Sequence, residues 1–384
     1  MRTIEAQRLS GIPESIFTTI SQLAFQHNAV NLGQGFPDFD GPEWLMQAAY
    51  SAMKAGKNQY APSSGIFSLR KEICENQNKY YGLQWDNEKN VTITSGATEA
   101  IYATITALVD EGDEVIMFEP FYDSYQAVVK LAGGVEKYVT LKKPDFHFDF
   151  DELEALINKR TKIIIINTPH NPSGKIFNNE ELQFIAKLAV KNDLIVVSDE
   201  VYEFLTYDGI EHRSIAEFPE MMERTVIISS TGKTFSMTGW KIGWAIASEI
   251  ITGAIRKVHQ WTTFASNTPA QQAMAFALTQ LDSYIPEFRK MYLQKRDLIY
   301  SKLLETRFTP YKPYGSYFIL ADMPEDTKTK GIEFAKELIV NSGVATIPVS
   351  IFYKKSDEGD TMIRLCFAKS NDTISKGIDL LRNV

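Results

Sequence analysis

From about residue 90 the chain repeats one pattern, a short β-branched apolar run followed by an amphipathic stretch of helical spacing. "NVTITSG" leads into "ATEAIYATITALV", "DEVIMFEP" into "YDSYQAVVKLAGG", and "TKIIIINTP" is followed by "NEELQFIAKLAVKN" and then "LIVVSDE". A further run, "TVIISS", ends against "TGKTFSMTGWKIGW". Apolar runs that do not alternate with polar residues belong to strands buried on both faces. The fold class expected is therefore α/β, a three-layer αβα domain around a mostly parallel sheet. Ligands of such sheets collect beyond the carboxyl ends of the strands. That is where this chain keeps its unusual residues.

After this series a long amphipathic stretch, "IPEFRKMYLQKRDLIYSKLLE", predicts a helix near 285–305. Beyond it "GSYFILAD", "IEFAKELIVNSG" and "TMIRLCFA" read as a smaller α+β domain. The division expected is 45–284 for a large domain and 1–44 together with 285–384 for a small one.

Bulk properties exclude several classes. The net charge of -8 argues against a general nucleic-acid binder, because phosphate contacts need a basic surface. Two distant cysteines, Cys74 and Cys366, suggest neither a disulfide framework nor a zinc site, and the five histidines have no metal-binding spacing, so no metal is expected. "MRTIEAQRLSGIPE" lacks the apolar core of a signal peptide, and no apolar run is long enough to span a bilayer. A cytoplasmic protein with no membrane partner is the expectation.

"TGKT" raises the question of a nucleotide-binding loop. That loop needs a glycine five residues before Gly232, and the position holds Ile227 inside an apolar strand. The alternatives for Lys233 are an ordinary turn lysine and an amine that carries an aldehyde cofactor. Pyridoxal phosphate needs, besides such a lysine, a phosphate cradle, a partner for its ring nitrogen and a flat surface against the ring. Each has a candidate. Gly96, Ala97 and Thr98 open a helix whose free N–H groups suit an anion, or simply form a capped helix start. Asp199 ends an apolar strand, where it either faces a pyridine nitrogen or caps the next element. Asn171 sits between prolines in a rigid turn, and Tyr122 follows a strand as a stacking face or as core.

Taken in order, "NLGQGFPDF", "NQYAPSSG", "SGATEA", "NTPHNPSGK", "SDEVY" and "SSTGKTFSMTGWKIGW" resemble the fold-type I, class I/II pyridoxal-phosphate aminotransferases over almost the full length. Through "GFPDFDGP", "KVHQWTTFASNTPAQ" and "IRLCFAK" the chain is most similar to the kynurenine aminotransferase/glutamine transaminase K branch and to bacterial methionine aminotransferases. The resemblance implies a mixed, mostly parallel sheet and pyridoxal 5'-phosphate as cofactor. It implies Lys233 as the cofactor-bearing lysine and general base, Ser230 and Lys241 as phosphate ligands, and Ala97 with Thr98 near the phosphate. It also implies Asp199 at the pyridine nitrogen, Asn171 and Tyr202 at the ring oxygen, and Tyr122 on the ring face. Many members carry arginine where Lys241 stands, which replaces a planar fork by a point charge.

Arg364 matches the arginine that grips the substrate α-carboxylate, with Gly35 beside it. Tyr60 matches a tyrosine lent to a neighbouring subunit's phosphate, which implies a homodimer. The activity implied is ping-pong transamination between an amino acid and a 2-oxo acid. Apolar and aromatic entry segments suggest methionine, an aromatic residue, kynurenine or glutamine as donor. A carbon–sulfur β-lyase on the same fold is the alternative; a transcription regulator built on an aminotransferase-like domain would need a DNA-binding module, and none is expected before "NLGQGFPDF" or from the acidic net charge.

Overall fold

The computed structural model describes residues 4–12 and 14–384; residues 1–3 and 13 of the N-terminal segment lie outside the described residues. A seven-stranded sheet forms from β1 (Val91–Ser95), β2 (Glu114–Glu119), β3 (Val135–Thr140), β4 (Thr161–Asn167), β5 (Ile195–Asp199), β6 (Thr225–Ser230) and β7 (Ile242–Ile246). Their spatial order is β1-β7-β6-β5-β4-β2-β3, parallel throughout except that β7 runs against both its neighbours. The doubly apolar strands behave as their composition dictates. Ile163 and Ile165 join one core cluster, Ile164 and Ile166 the cluster on the opposite face, and all four are at most 2% exposed. Each such buried side chain contributes roughly 1.5–3 kcal/mol.

Two strands escape a search for continuous apolar runs. In β3, "VEKYVT", the adjacent Glu136 and Lys137 break the apolar run, and only the last two residues are buried, as suits an edge strand. In β7, "IGWAI", a glycine interrupts the pattern. That glycine has a reason: a Cβ on Gly243 would lie 2.6 Å from Ala97 N, so β7 packs directly against the start of helix α1 (Gly96–Leu108).

Helices α2 (Asp123–Leu131) and α3 (Glu249–Thr262) pack on the same face as α1, against the cluster that holds Ile163 and Ile165. The long helix expected near 285–305 is α4 (Leu281–Leu303). It begins a turn earlier because Leu281 and Ile285 belong to the core, and Pro286 lies within its second turn.

Past α4 a four-stranded antiparallel sheet forms from β8 (Thr309–Tyr311), β9 (Phe318–Asp322), β10 (Ile347–Pro348) and β11 (Met362–Cys366), in the order β10-β11-β9-β8. Val30–Asn31 pairs in parallel with Val344–Ala345, joining the N-terminal segment to this region. One apolar cluster runs from Ile93 and Trp244 of the large sheet through Phe235 to Phe318 and Leu365 of the small one. No helix among the described residues is long and apolar enough to cross a membrane.

Candidate active site

The carboxyl ends of β1, β2, β4, β5 and β6, together with the start of β7, converge on one edge of the sheet. A cavity of about 250 Å³ opens there, roofed by Phe318 of the small sheet. Every residue singled out from the sequence lines it except Tyr60.

At the inner end stands Asp199, the last residue of β5. Its Oδ2 accepts from the Tyr125 hydroxyl at 2.6 Å and its Oδ1 from Val201 N at 3.3 Å. Burial pushes its pKa up to about 6, against the opposing pull of the Tyr125 hydrogen bond and the Lys233 charge. Such a carboxylate favours a cationic N–H partner. Asn167, one strand over, ties the rim together: its Nδ2 donates to Asp199 O at 2.9 Å and its Oδ1 accepts from Asn171 N at 2.7 Å. Asn171 is thereby held on a turn flanked by cis bonds at Pro169 and Pro172.

β6 ends at Ser230, and one helical turn, Thr231–Thr234, lifts Lys233 into the cavity. Its Nζ donates to the Tyr317 hydroxyl at 3.0 Å, and that hydroxyl donates onward to Gly35 O at 2.7 Å. The amine also lies 5.7 Å from the Tyr202 ring centre. Burial lowers its pKa to about 8. An amine so shifted is deprotonated in an appreciable fraction near neutral pH, as a nucleophile or base requires.

The opposite end is built for an anion. Gly96 turns with φ +72°, α1 starts with unpaired N–H groups, and Lys241 Nζ sits 3.2 Å from Thr98 Oγ1. Lys241 holds this place through its own left-handed backbone, φ +54°. Tyr122 flanks the cavity edge-on to Tyr125, with ring centres 5.6 Å apart. Burial pushes its hydroxyl up to about 12, so it stays neutral.

Arg364, in the centre of β11, reaches in from the small sheet. It is 1% exposed, yet no carboxylate among the described residues forms a salt bridge with it. Nη1 donates to Asn171 Oδ1 at 3.0 Å, Nη2 donates to Gly33 O at 2.9 Å, and Nε has no partner. Its guanidinium carbon stands 4.2 Å from the Phe318 ring centre. A buried cation without a counter-ion is costly, and a carboxylate brought by a ligand relieves it.

Tyr60 alone is elsewhere. Its ring is 83% exposed and meets Phe264 edge-on at 5.4 Å. Conversely Tyr125, Asn167 and Tyr317 escaped the sequence reading. Tyr125 follows Tyr122 by one helical turn, a spacing that could have found it; Tyr317 looks like any strand tyrosine.

An amine of lowered pKa, an acid facing inward beneath a tyrosine wall, and an anion seat on a helix start fit pyridoxal phosphate. The group they fit is one used by several enzyme families, but the order of these elements along the chain is that of one. The chain belongs to the class I and II aminotransferases, whose family profile matches residues 27–381, and it is a pyridoxal-phosphate-dependent transaminase. It is 42% identical to the methionine aminotransferase of Escherichia coli over 381 residues, 99% of this chain and 98% of that one. Identity to the kynurenine–oxoglutarate transaminase of Dictyostelium discoideum is 38%, covering 98% and 95%. A solved Escherichia coli structure described as having a methionine aminotransferase function superimposes with a TM-score of 0.95 at 41% identity, covering 100% of both chains. All three are transaminases, and the β-lyase alternative finds no support among them.

Proposed function

We propose that this transaminase takes methionine or another apolar or aromatic L-amino acid as donor, kynurenine and glutamine included, and passes its nitrogen to a 2-oxo acid. The observation that carries the reading is Arg364, a buried guanidinium with no anionic partner, facing the same cavity as Lys233. It suits a substrate α-carboxylate. The cations lining the cavity are Lys233, Lys241 and Arg364, so once the first two serve the cofactor and the third the α-carboxylate, none remains for a side-chain carboxylate. Phe17, Phe36 and Phe318 supply apolar walls instead. The names of the Escherichia coli and Dictyostelium relatives point the same way.

When bound, the cofactor carries the nitrogen between substrates and withdraws electrons from the substrate Cα. The residues do the rest. Lys233 would hold the cofactor and, once displaced, take the proton from the substrate Cα as general base and deliver it onward as general acid. Asp199 keeps the ring nitrogen protonated. The Asn171 amide nitrogen, left free because its oxygen is taken by Arg364, donates to the ring oxygen together with the Tyr202 hydroxyl. Tyr122 covers the ring face. Ala97, Thr98, Ser230 and Lys241 hold the phosphate, and Gly35 contributes backbone beside the α-carboxylate. Fixing both ends of the substrate aligns the Cα–H bond for removal.

The assembly proposed is a homodimer in the cytoplasm, with Tyr60 completing the neighbour's phosphate site. Tyr60, Trp261 and Phe264 are exposed in the single chain, which supports this. The domains proposed are 45–284 and 1–44 with 285–384, the grip of Arg364 on substrate drawing them together.

Initial rates with methionine, phenylalanine, tyrosine, tryptophan, kynurenine, glutamine and aspartate against several 2-oxo acids test the reading. Methionine and the aromatic donors should exceed aspartate in kcat/KM; a clear preference for aspartate would overturn it. Pyruvate and ammonia released from cystathionine without an oxo-acid acceptor would favour the lyase instead.

A further inference from the structure

Glu99 and His259 form a buried ion pair beside the anion seat, and nothing in the proposed chemistry uses them. His259 is 0% and Glu99 8% exposed. His259 Nδ1 lies 2.6 Å from Glu99 Oε1, and Nε2 lies 2.8 Å from Ser63 O. Both neighbours are acceptors. A neutral imidazole carries a single N–H, so satisfying both requires the imidazolium. The second Glu99 oxygen accepts the Ser95 N–H, which fixes the carboxylate in the first turn of α1.

We propose that Glu99 and His259 are positioning residues: their charged pair locks the helix start that seats the cofactor phosphate to the segment carrying Tyr60. The inference rests on the reading of that helix start as the phosphate seat. The link has two arms. His259 holds Ser63 directly, three residues beyond Tyr60. Phe264, just past the end of α3, packs against the Tyr60 ring. The pair also solves an electrostatic conflict. A bare Glu99 carboxylate in the first turn of α1 would oppose an incoming phosphate, and the imidazolium cancels it.

Burial works against the charge on His259, but Glu99 outweighs it and holds the imidazole above its ordinary range; the same partnership holds Glu99 below the usual carboxylate range despite burial. The other groups around His259 leave that assignment intact. Backbone of Ser63 and Phe264 favours the cation. Arg256, one turn earlier on α3, is committed to the Glu88 and Val91 carbonyls and the Thr92 hydroxyl. Lys241 lies across Gly96 on the cavity side. Because the folded-state pKa of His259 is raised, its contribution is complete below the unfolded value and is lost as pH climbs through the folded one.

The test uses holoenzyme labelled at the histidine ring carbon Cε1, with the His259 signal assigned by its loss in His259→Gln. In the wild type that signal should report imidazolium beyond the ordinary histidine midpoint, and Glu99→Gln should move the midpoint down. Glu99→Gln should also weaken cofactor affinity, read by absorbance on titrating pyridoxal phosphate into apo-protein, by roughly three- to tenfold. A His259 that is neutral in the wild type at pH 6, a midpoint unmoved by Glu99→Gln, or an unchanged cofactor Kd in that variant overturns the proposal. If Glu99→Gln does not fold, the wild-type titration and the cofactor Kd of His259→Gln decide in its place. Lys241→Met separates the two readings: a cofactor Kd unchanged there defeats the phosphate seat itself, whatever His259 does.

Discussion

Arg364 Nη1 donates to Asn171 Oδ1 at 3.0 Å, so the residue proposed to take the substrate carboxylate and the residue proposed to face the cofactor ring are one hydrogen-bonded unit. The contact crosses from the small sheet to the rim of the large one and orients both groups. Arg364→Ala should lower kcat/KM by one to two decades, matching the loss of charge-assisted hydrogen bonds of about 1.5–3 kcal/mol. Arg364→Lys keeps the charge but not the fork and should recover only part of the loss. Steady-state kinetics with methionine would check both, and unchanged kinetics in Arg364→Ala would exclude the carboxylate role.

Lys233 and Asp199 both sit in the cavity with pKa values that burial has moved toward neutrality, to about 8 and about 6. Each therefore destabilises the apo-protein where it is charged. For Asp199 the folded value is raised, so apo stability falls as pH rises from about 4 to about 6 and is then level. For Lys233 the folded value is depressed, so apo stability rises as pH climbs from about 8 towards 10.5. Lys233→Met should accordingly stabilise apo-protein at pH 7, by on the order of 2 kcal/mol. Turnover and the visible absorbance of the lysine-held cofactor should vanish in the same variant. Denaturant melts of apo-protein across pH would test the first expectation. A destabilised Lys233→Met variant would contradict it.

Much of this site was legible because its chemistry stands at strand ends. Asp199 and Ser230 close the apolar strands Ile195–Asp199 and Thr225–Ser230, and Asn171 stands in the proline turn just past Thr161–Asn167, so polar residues there stand out against the runs before them. Excluding a nucleotide loop left Lys233 open between a turn lysine and a cofactor amine, and only the resemblance carried by "SSTGKTFSMTGWKIGW" favoured the amine. What stayed hidden depends on contacts between distant segments. Tyr317 reaches Lys233 across 84 positions, and His259 reaches Glu99 across 160. Neither spacing leaves a local trace. The edge strand Val135–Thr140 is hidden for the opposite reason, since Glu136 and Lys137 interrupt its apolar run and only Val139 and Thr140 are buried.

Tyr317 should matter for rate more than for binding. Its hydroxyl accepts from Lys233 Nζ and donates to Gly35 O, so it aims the amine while holding the loop proposed to lie beside the substrate carboxylate. Tyr317→Phe keeps the buried ring and removes both bonds. About 0.5–1.5 kcal/mol for the one neutral hydrogen bond that aims Lys233 predicts a fall in kcat of roughly two- to twelvefold, with cofactor content near wild type. Rapid-mixing measurement of the first half-reaction would isolate the proton step. A variant with normal kcat would show that Lys233 is aimed by packing alone.

Tyr60 offers the sharpest test of assembly. In the single chain its ring is 83% exposed, propped by Phe264, and outside the lining of the chain's own cavity. If it completes the neighbour's phosphate site, Tyr60→Phe should leave the dimer intact and weaken cofactor binding by roughly an order of magnitude, the scale of one charge-assisted hydrogen bond. Mixed dimers then decide whose site it serves. A Tyr60→Phe subunit paired with a Lys233→Ala subunit contains one intact lysine, in the Tyr60→Phe chain. With Tyr60 acting across the interface, that lysine receives a native tyrosine from its partner and its site binds the cofactor with wild-type affinity. With Tyr60 acting within its own chain, the same site keeps the weakened affinity of the Tyr60→Phe homodimer, and the exchange between subunits is refuted.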